Sequence, residues 1–331
     1  MGLGNFYFLF LKSLPCFKRV DGEKDSFVQN YFHHNCEKKF LINIKFYYNN
    51  YMKCYDCPRN CGVDREKQKG FCQEGEKIKI AKIIENFMWE EPCISGEKGA
   101  LAIFFSGCNL RCEFCQNYDI SHQSKGKEYS KEEFLELIKG YDLPKYTCIE
   151  FITPTHFSSQ ILAALQRQKF SIPIVWNSGD YEKPEMIEKL ASVVDVFMPD
   201  FKYCSSQLSE KYSLAKDYFD YASKAIMKMR EMKKTNIFKD GIMQSGVLIR
   251  HLVLPNCAKD SIEILNFIKE NIANPFISLM SQFIPCNNCS IQRKLYPLEY
   301  KLVLSHAEKI GLSEGYLQDY ASASENFIPQ F

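Results

Sequence analysis

The sequence has no excess of charge of either sign: 42 lysines and arginines stand against 40 aspartates and glutamates in 331 residues. That balance argues against a general nucleic-acid-binding or anionic-membrane surface. Long hydrophobic runs are missing too. The apolar stretch Phe6–Leu11 falls far short of the roughly 20 residues of a membrane span, and no positive charge precedes it as in a signal peptide. No other segment is long and uncharged enough to span, and there is no internal repeat or low-complexity tract. Residues 1–51 are aromatic, lysine-rich and patternless. Two readings of them stay open: a disordered extension, or upstream sequence read in frame ahead of a true start at Met52.

What remains is a chain with 46% hydrophobic and 25% charged residues, an ordinary globular mixture that can bury a sizeable core. Its length suits one barrel-sized unit plus a smaller appendage. Fifteen cysteines are the departure from the ordinary. The chain is too large and too rich in Val, Ile, Leu and Phe to be a small disulfide scaffold. Several cysteines cluster at the short spacings of ligand sets, which implies a reducing compartment and a cytoplasmic protein.

Residues 52–98 begin with "KCYDCPRNCGVDREKQKGFC", where Cys, Pro, Gly and charge dominate and no hydrophobic period exists. Such a knuckle cannot fold around apolar burial alone. A strand follows in "KIKIAKIIENF", then a linking loop. From residue 99 onward short apolar strands alternate with helical patterns. Strands are predicted at Leu101–Phe105, Thr147–Thr153, Ile172–Trp176, Val193–Met198, Val247–Leu254 and Ile277–Gln282. Helices are predicted near Lys131–Lys139, Ser159–Gln168, Pro184–Ala191, Ser206–Met232, Ser261–Asn271 and Leu298–Lys309. Strands alternating with helices give βαβ units, a parallel sheet and right-handed crossovers. The fold class expected is α/β: a partial (β/α)6 TIM-like barrel behind a small N-terminal cysteine-rich knuckle. In such barrels chemistry sits at the C-terminal strand ends. The odd polar residues do fall there: "SGCNLRCEFC", "TPTHF", "NSGDY", "PDFKY", "PNC" and "FIPCNNC" follow the six strands in turn.

Cys108, Cys112 and Cys115 lie on the loop leaving the first of these strands, in the spacing C-x3-C-x2-C. Thiolates so spaced can wrap one compact cluster. A four-iron cubane takes four ligands, and a set of three leaves one iron open, which marks a reactive site rather than a structural one. The loop "GCNLRCEFCQN" resembles the signature of the radical S-adenosylmethionine (SAM) superfamily. "ITPTHF", "PDFKY", "GVLIRHLVLPN" and "SLMSQFIP" resemble its branch of uncharacterised relatives of pyruvate formate-lyase-activating enzyme, over about Cys54 to the C-terminus.

The resemblance implies a [4Fe-4S] cluster on Cys108, Cys112 and Cys115 whose open iron chelates SAM. One electron then cleaves the sulfonium, and a 5′-deoxyadenosyl radical removes hydrogen from a substrate. It implies that Phe114 packs near the adenine, and that Asp200 and Lys202 of "PDFKY" lie near SAM. A glycine-rich turn that holds the SAM amino group in much of the superfamily is replaced here by "TPTH", where Thr153, Thr155 and His156 offer hydroxyl and imidazole. Asn177 ends a strand where its amide could hold SAM or substrate; as a turn residue it would be unremarkable. Arg250 and His251 are strand neighbours, so at most one of them faces the barrel interior; His251 is taken as a cofactor-binding candidate.

Cys54, Cys57, Cys61 and Cys72 follow C-x2-C-x3-C-x10-C. Four thiolates make a closed site, and metal binding would supply folding energy that the segment lacks. A structural zinc is preferred because the spacing is not that of ferredoxins; an auxiliary iron–sulfur cluster is the rival. Cys286 and Cys289 read as a redox pair, a metal half-site or a plain turn. Cys16, Cys36, Cys93, Cys148, Cys204 and Cys257 read as small buried or incidental residues.

The functional expectation is an oxidoreductase of the radical SAM type acting on an unknown substrate, with glycyl-radical activation of a partner enzyme as the narrower form. The alternatives are action on a small molecule or another protein, and a non-catalytic iron–sulfur electron carrier. Expected partners are a one-electron donor such as a flavodoxin or ferredoxin and a protein substrate, without nucleic acid or membrane.

Overall fold

The computed structural model describes residues 53–286 and 288–320. The N-terminal extension, Cys16 and Cys36 lie outside the described residues. The strands are β1 (Ile78–Phe87), β2 (Ala100–Phe105), β3 (Lys127–Tyr129), β4 (Ile149–Ile152), β5 (Ile174–Ser178), β6 (Val196–Pro199), β7 (Ile237–Lys239), β8 (Ile242–Val247), β9 (Ile249–Leu252), β10 (Ile277–Met280) and β11 (Gly315–Leu317). The helices are α1 (Pro92–Ser95), α2 (Tyr118–Gln123), α3 (Lys131–Lys139), α4 (Ser158–Leu165), α5 (Pro184–Leu190), α6 (Ser206–Ser213), α7 (Tyr218–Met232), α8 (Ala258–Asn271) and α9 (Pro297–Lys309). Local chemistry starts several of them. Ser130 and Glu133 form a reciprocal capping box on α3, and prolines open α5 and α9, where a missing N–H costs nothing.

One sheet runs β3-β1-β2-β4-β5-β6-β8-β7, and a second runs β11-β10-β9. From β2 through β4, β5 and β6 to β8 the pairing is parallel, and β9, β10 and β11 are parallel as well. The chain crosses between the sheets at Leu248, whose N–H donates to the Phe197 carbonyl at 2.9 Å. Phe201 N–H then donates to the Arg250 carbonyl at 2.8 Å. All six predicted barrel strands are therefore present, in the order of a partial β/α barrel. The predicted strand Val247–Leu254 is divided, because its start pairs with β6 and its end with β10. β1 lies antiparallel on β2 and extends the barrel wall. Among the described residues, no helix is long and apolar enough to cross a membrane.

The predicted helix Ser206–Met232 is broken. Leu214 adopts φ 52°, ending α6, and α7 begins at Tyr218. The last carbonyls of α6 lack intrahelical partners at such an end, and Arg59 of the knuckle takes two of them, Ser213 and Leu214.

Alternation along the strands makes two apolar layers. Ala100, Ala102, Phe104, Ile152, Val175, Val196, Met198 and Leu248 fill the barrel interior. Ile103, Phe105, Phe151, Trp176, Phe197 and Ile249 point outward and pack with the helices. Phe151 is fully buried, with ring centroids 5.7 Å from Phe105, 5.8 Å from Phe134 and 6.5 Å from Trp176. Phe151→Ala should cost about 3–5 kcal/mol in equilibrium denaturation, from lost transfer energy plus a cavity.

Candidate functional site

The cluster loop leaves β2 through Gly107, whose φ of 77° favours glycine. A Cβ there would come within 2.5 Å of the Cys72 carbonyl and 2.6 Å of Glu74 Cγ, so only glycine lets the knuckle pack this closely. The loop is held by named contacts. Glu113 N–H donates to the Tyr212 carbonyl at 3.0 Å, and the Asn109 amide donates to the Tyr181 carbonyl at 2.6 Å. Ser213 Oγ lies 2.9 Å from Cys112 Sγ and 2.8 Å from the Tyr203 hydroxyl. The Ser121 hydroxyl donates to Cys115 Sγ at 3.3 Å. Phe114 is wedged against Tyr212 and Phe283, at 6.2 and 5.7 Å between centroids.

All three loop cysteines line one cavity of about 240 Å³ at the C-terminal end of the strands. Phe114, Thr153, Asn177, Asp200 and Lys202 line it as well. Burial pushes the Cys108, Cys112 and Cys115 thiols up, Cys115 to about 11, and charge on Cys112 adds to the rise at Cys108 and Cys115. Such sulfurs ionise readily only beside compensating positive charge, which an iron cluster brings. Among the described residues, no three His, Cys, Asp or Glu side chains are already drawn in to metal-coordinating distance; the structure fixes the backbone that carries the sulfurs. Three soft thiol donors on one cavity wall, with no fourth cysteine beside them there, fit a cluster that keeps one open iron.

Strand register builds the rest of the wall. The inward positions at the strand ends carry Glu150 on β4, Asn177 on β5, Asp200 just past β6 and Arg250 on β9. Arg250 joins them. Its Nε donates to Asp200 at 2.8 Å, Nη2 to the Asn177 carbonyl oxygen at 2.7 Å and Nη1 to Glu90 at 2.6 Å. Asn177 donates to Glu150 at 2.7 Å, and Lys202 Nζ donates to the other Asp200 oxygen at 2.8 Å. Burial opposes ionisation of Asp200, but Arg250 and Lys202 outweigh it and hold the carboxyl below its usual range. Burial likewise works against the Lys202 ammonium, and Asp200 more than restores it. Glu150 is the opposite case. Complete burial, with the Glu90 charge beside it, pushes its carboxyl well up. Glu90 is raised too, by burial, with Arg250 opposing, so Arg250 and Lys202 face Asp200 and the Glu90–Glu150 pair.

Three of the expected residues lie elsewhere. His251 is the outward neighbour of Arg250. Its Nδ1–H donates to the Phe201 carbonyl at 2.7 Å, and its Nε2 accepts from Ser261 of α8 at 2.8 Å. Burial lowers it to about 4, so it is a neutral packing residue between barrel and helix, not a cofactor ligand. His156 donates from Nε2 to the Ser106 carbonyl at 2.6 Å, and its own carbonyl accepts from Arg65 of the knuckle. Burial, with the Arg65 charge, lowers it to about 3. It seals the knuckle against the barrel and does not reach the cavity. Thr155 also turns away, donating to Glu182 at 2.8 Å. Thr153 alone of "TPTH" reaches the cavity, at φ 61°. A β-branched residue there is a strained outlier, of the sort that clusters at binding sites.

The residues that sequence reasoning missed are Glu90 and Glu150, and it left Arg250 unassigned. A charge inside the otherwise apolar strand "CIEFI" was a usable signal for Glu150. Glu90 sits in a connecting loop and carried none.

In the knuckle, Cys61 and Cys72 sulfurs both face Gly70; a Cβ there would lie 3.4 and 3.6 Å from them. Phe71 N–H donates to Cys61 Sγ at 3.3 Å. Burial raises Cys54, Cys57 (to about 12) and Cys72 (to about 11), and charge on Cys54, Cys72 and Cys61 adds to the rise at Cys57. Cys57 is thus within electrostatic reach of the other three. Of the remaining cysteines, Cys93, Cys148 and Cys257 are buried and Cys204 is half-buried. Cys289 is buried and donates to the Ile291 carbonyl at 3.1 Å, the partner of a turn residue; Asn287 beside it lies outside the described residues.

A partial β/α barrel with three loop cysteines and an ion network around one cavity defines a class: barrels that hold an iron–sulfur cluster at their C-terminal mouth. The chain belongs to the radical SAM superfamily, whose family model matches residues 102–251. It is 32% identical over 290 residues to an uncharacterised protein of Methanocaldococcus jannaschii, covering 82% of this chain and 79% of that relative. Among solved structures, methylornithine synthase is similar at TM-score 0.43 and 15% identity, over 68% of this chain and 73% of that one. A domain of pyruvate-formate lyase-activating enzyme from Bacteroides vulgatus is similar at TM-score 0.39 and 12% identity, over 52% and 98%. Membership of the superfamily implies a [4Fe-4S] cluster and SAM.

One outcome follows from the network. Burial and the Glu90 charge raise the Glu150 carboxyl in the folded state, so its stability penalty grows as pH rises through and above the ordinary glutamate range. Glu150→Gln should therefore raise the melting temperature more at pH 8 than at pH 5; an equal effect at both would show Glu150 to be ionised when folded.

Proposed function

We propose that the chain is an oxidoreductase of a reducing, cytoplasmic compartment that uses SAM to abstract hydrogen from a substrate bound in this cavity. The observation that carries the reading is the meeting of the three-cysteine wall and the Asp200–Lys202–Arg250 network in one cavity. Cys108, Cys112 and Cys115 would hold the cluster, which when bound would supply one-electron reduction of the SAM sulfonium, breaking its C5′–S bond to give methionine and a 5′-deoxyadenosyl radical for hydrogen abstraction. Phe114 offers an apolar face for the adenine. Asp200 and Lys202, each fixed by the other, offer a carboxylate for the ribose hydroxyls and an ammonium for the methionine carboxylate of SAM. Thr153 and Asn177 add polar groups on the facing strand ends. Arg250 keeps this set rigid by bridging Asp200 and Asn177 to Glu90.

The narrower reading is activation of a glycyl-radical partner, with hydrogen removed from a backbone glycine. Its support is the likeness of "PDFKY" to the Asp-x-Lys of the activating enzymes. The electron donor in this reading is a flavodoxin or ferredoxin. The knuckle cysteines hold a structural zinc, supported by their proximity and by the lack of any other core in that segment.

Anaerobic reconstitution with iron and sulfide, reduction, and addition of SAM tests the central reading. Release of 5′-deoxyadenosine that Cys112→Ala abolishes is the expected result. An intact, reduced cluster that yields none would overturn it.

A further inference from the structure

Arg59 has no counterpart in the chemistry described so far, yet it makes more contacts between knuckle and barrel than its neighbours in the turn. It lies inside the knuckle turn, between Cys57 and Cys61. Its Nε donates to the Asn109 carbonyl at 2.7 Å, Nη1 to Leu214 at 2.5 Å and Nη2 to Ser213 at 3.3 Å. Asn109 follows Cys108 directly. Ser213 is the residue whose hydroxyl meets Cys112 Sγ. One planar guanidinium thus fixes the backbone beside one cluster cysteine and the helix end that touches a second. Phe71, next to Cys72, supports it from below, its ring centroid 3.8 Å away. The Arg111 guanidinium, from between Cys108 and Cys112, lies 5.9 Å from the same ring. A second contact runs in parallel, where the Cys72 carbonyl abuts Gly107.

Arg65 supplies an independent observation on the knuckle itself. It is 5% exposed, and its Nε and Nη2 have no hydrogen-bond partner. Its charge acts on the Cys54 and Cys72 sulfurs. Asp56 lies 3.9 Å from its Nη1, and the two unused donors beside Cys54 and Cys72 leave Arg65 able to meet the net negative charge of a metal tetrathiolate.

We propose that the knuckle is a metal-dependent clamp on the cluster loop: a tetrahedral divalent ion of the zinc type on Cys54, Cys57, Cys61 and Cys72 holds the turn that presents Arg59, and Arg59 positions the Cys108–Cys115 loop for cluster binding. This rests on reading the four cysteines as a metal site. Arg59 is a positioning residue, because it touches the loop backbone and not the reacting atoms. Lysine cannot replace it fully, since three carbonyls on two segments need the fork geometry of a guanidinium.

The test measures zinc, iron and the electron paramagnetic resonance (EPR) signal of the reduced cluster in full-length protein reconstituted anaerobically. Wild type should carry one zinc besides the cluster iron; its absence would overturn the clamp. Arg59→Gln should keep the zinc but lose iron about tenfold more readily to a chelator, with a changed EPR signal, as supporting-residue substitutions do. Arg59→Lys should recover part of the loss. Cys61→Ser should lose both zinc and cluster retention. Wild-type iron retention and signal in Arg59→Gln, or in a zinc-free Cys61→Ser protein that stays folded by circular dichroism, would overturn the clamp. These readouts do not depend on SAM turnover, so the clamp can fail while wild type still releases 5′-deoxyadenosine, and the reverse.

Discussion

The site depends on a single buried guanidinium. Arg250 reaches a carboxylate on the loop after β1, an amide on β5 and a carboxylate after β6. Placing a charge there is costly unless it is paired, and losing one partner would leave the others uncompensated. The barrel therefore has to bring four separated stretches of chain to one point with hydrogen-bond accuracy. It does so through register: alternate residues of parallel strands face inward, and inward positions on β4, β5 and β9 and just past β6 are polar. Phe114 and Thr153 complete the wall because the loops they lie on start from those same strand ends.

The knuckle stands in a similar relation to the loop. Its segment has almost no apolar material of its own, and its fixed points are cation–π, sulfur and backbone contacts. It leans on β2's exit through Gly107 and on α6's end through Arg59. Folding of the two cysteine sets is consequently linked by direct contact.

Much of this was legible in the sequence. Strict alternation of apolar runs and helical patterns located all six barrel strands, and polar residues after each strand pointed to the cavity end. Asn177 follows from its place at a strand end, whereas Phe114, Asp200 and Lys202 come from the family resemblance; all four line the cavity. What escaped depends on contacts between distant segments. Nothing within Ser206–Met232 marks the break at Leu214, because the partner of that helix end is Arg59, some 150 residues earlier. The division of the strand at Leu248 reflects which neighbour each half pairs with. His251 was misplaced for want of the phase of its strand: a one-residue choice sends Arg250 inward and the histidine to α8. His156 was misread because the knuckle that buries it against Arg65 is remote in sequence.

Glu90 lies outside the parallel barrel, on the chain that leaves the antiparallel strand β1, and the stretch recognised by the family model begins only at residue 102. The segment by which the superfamily is recognised is thus smaller than the electrostatic unit that works as a site. Cut at the recognised boundary, the barrel would keep its three cysteines and its Asp-x-Lys while stranding Arg250 with half its counter-charge. Evolutionary domain and functional domain part company here by a dozen residues.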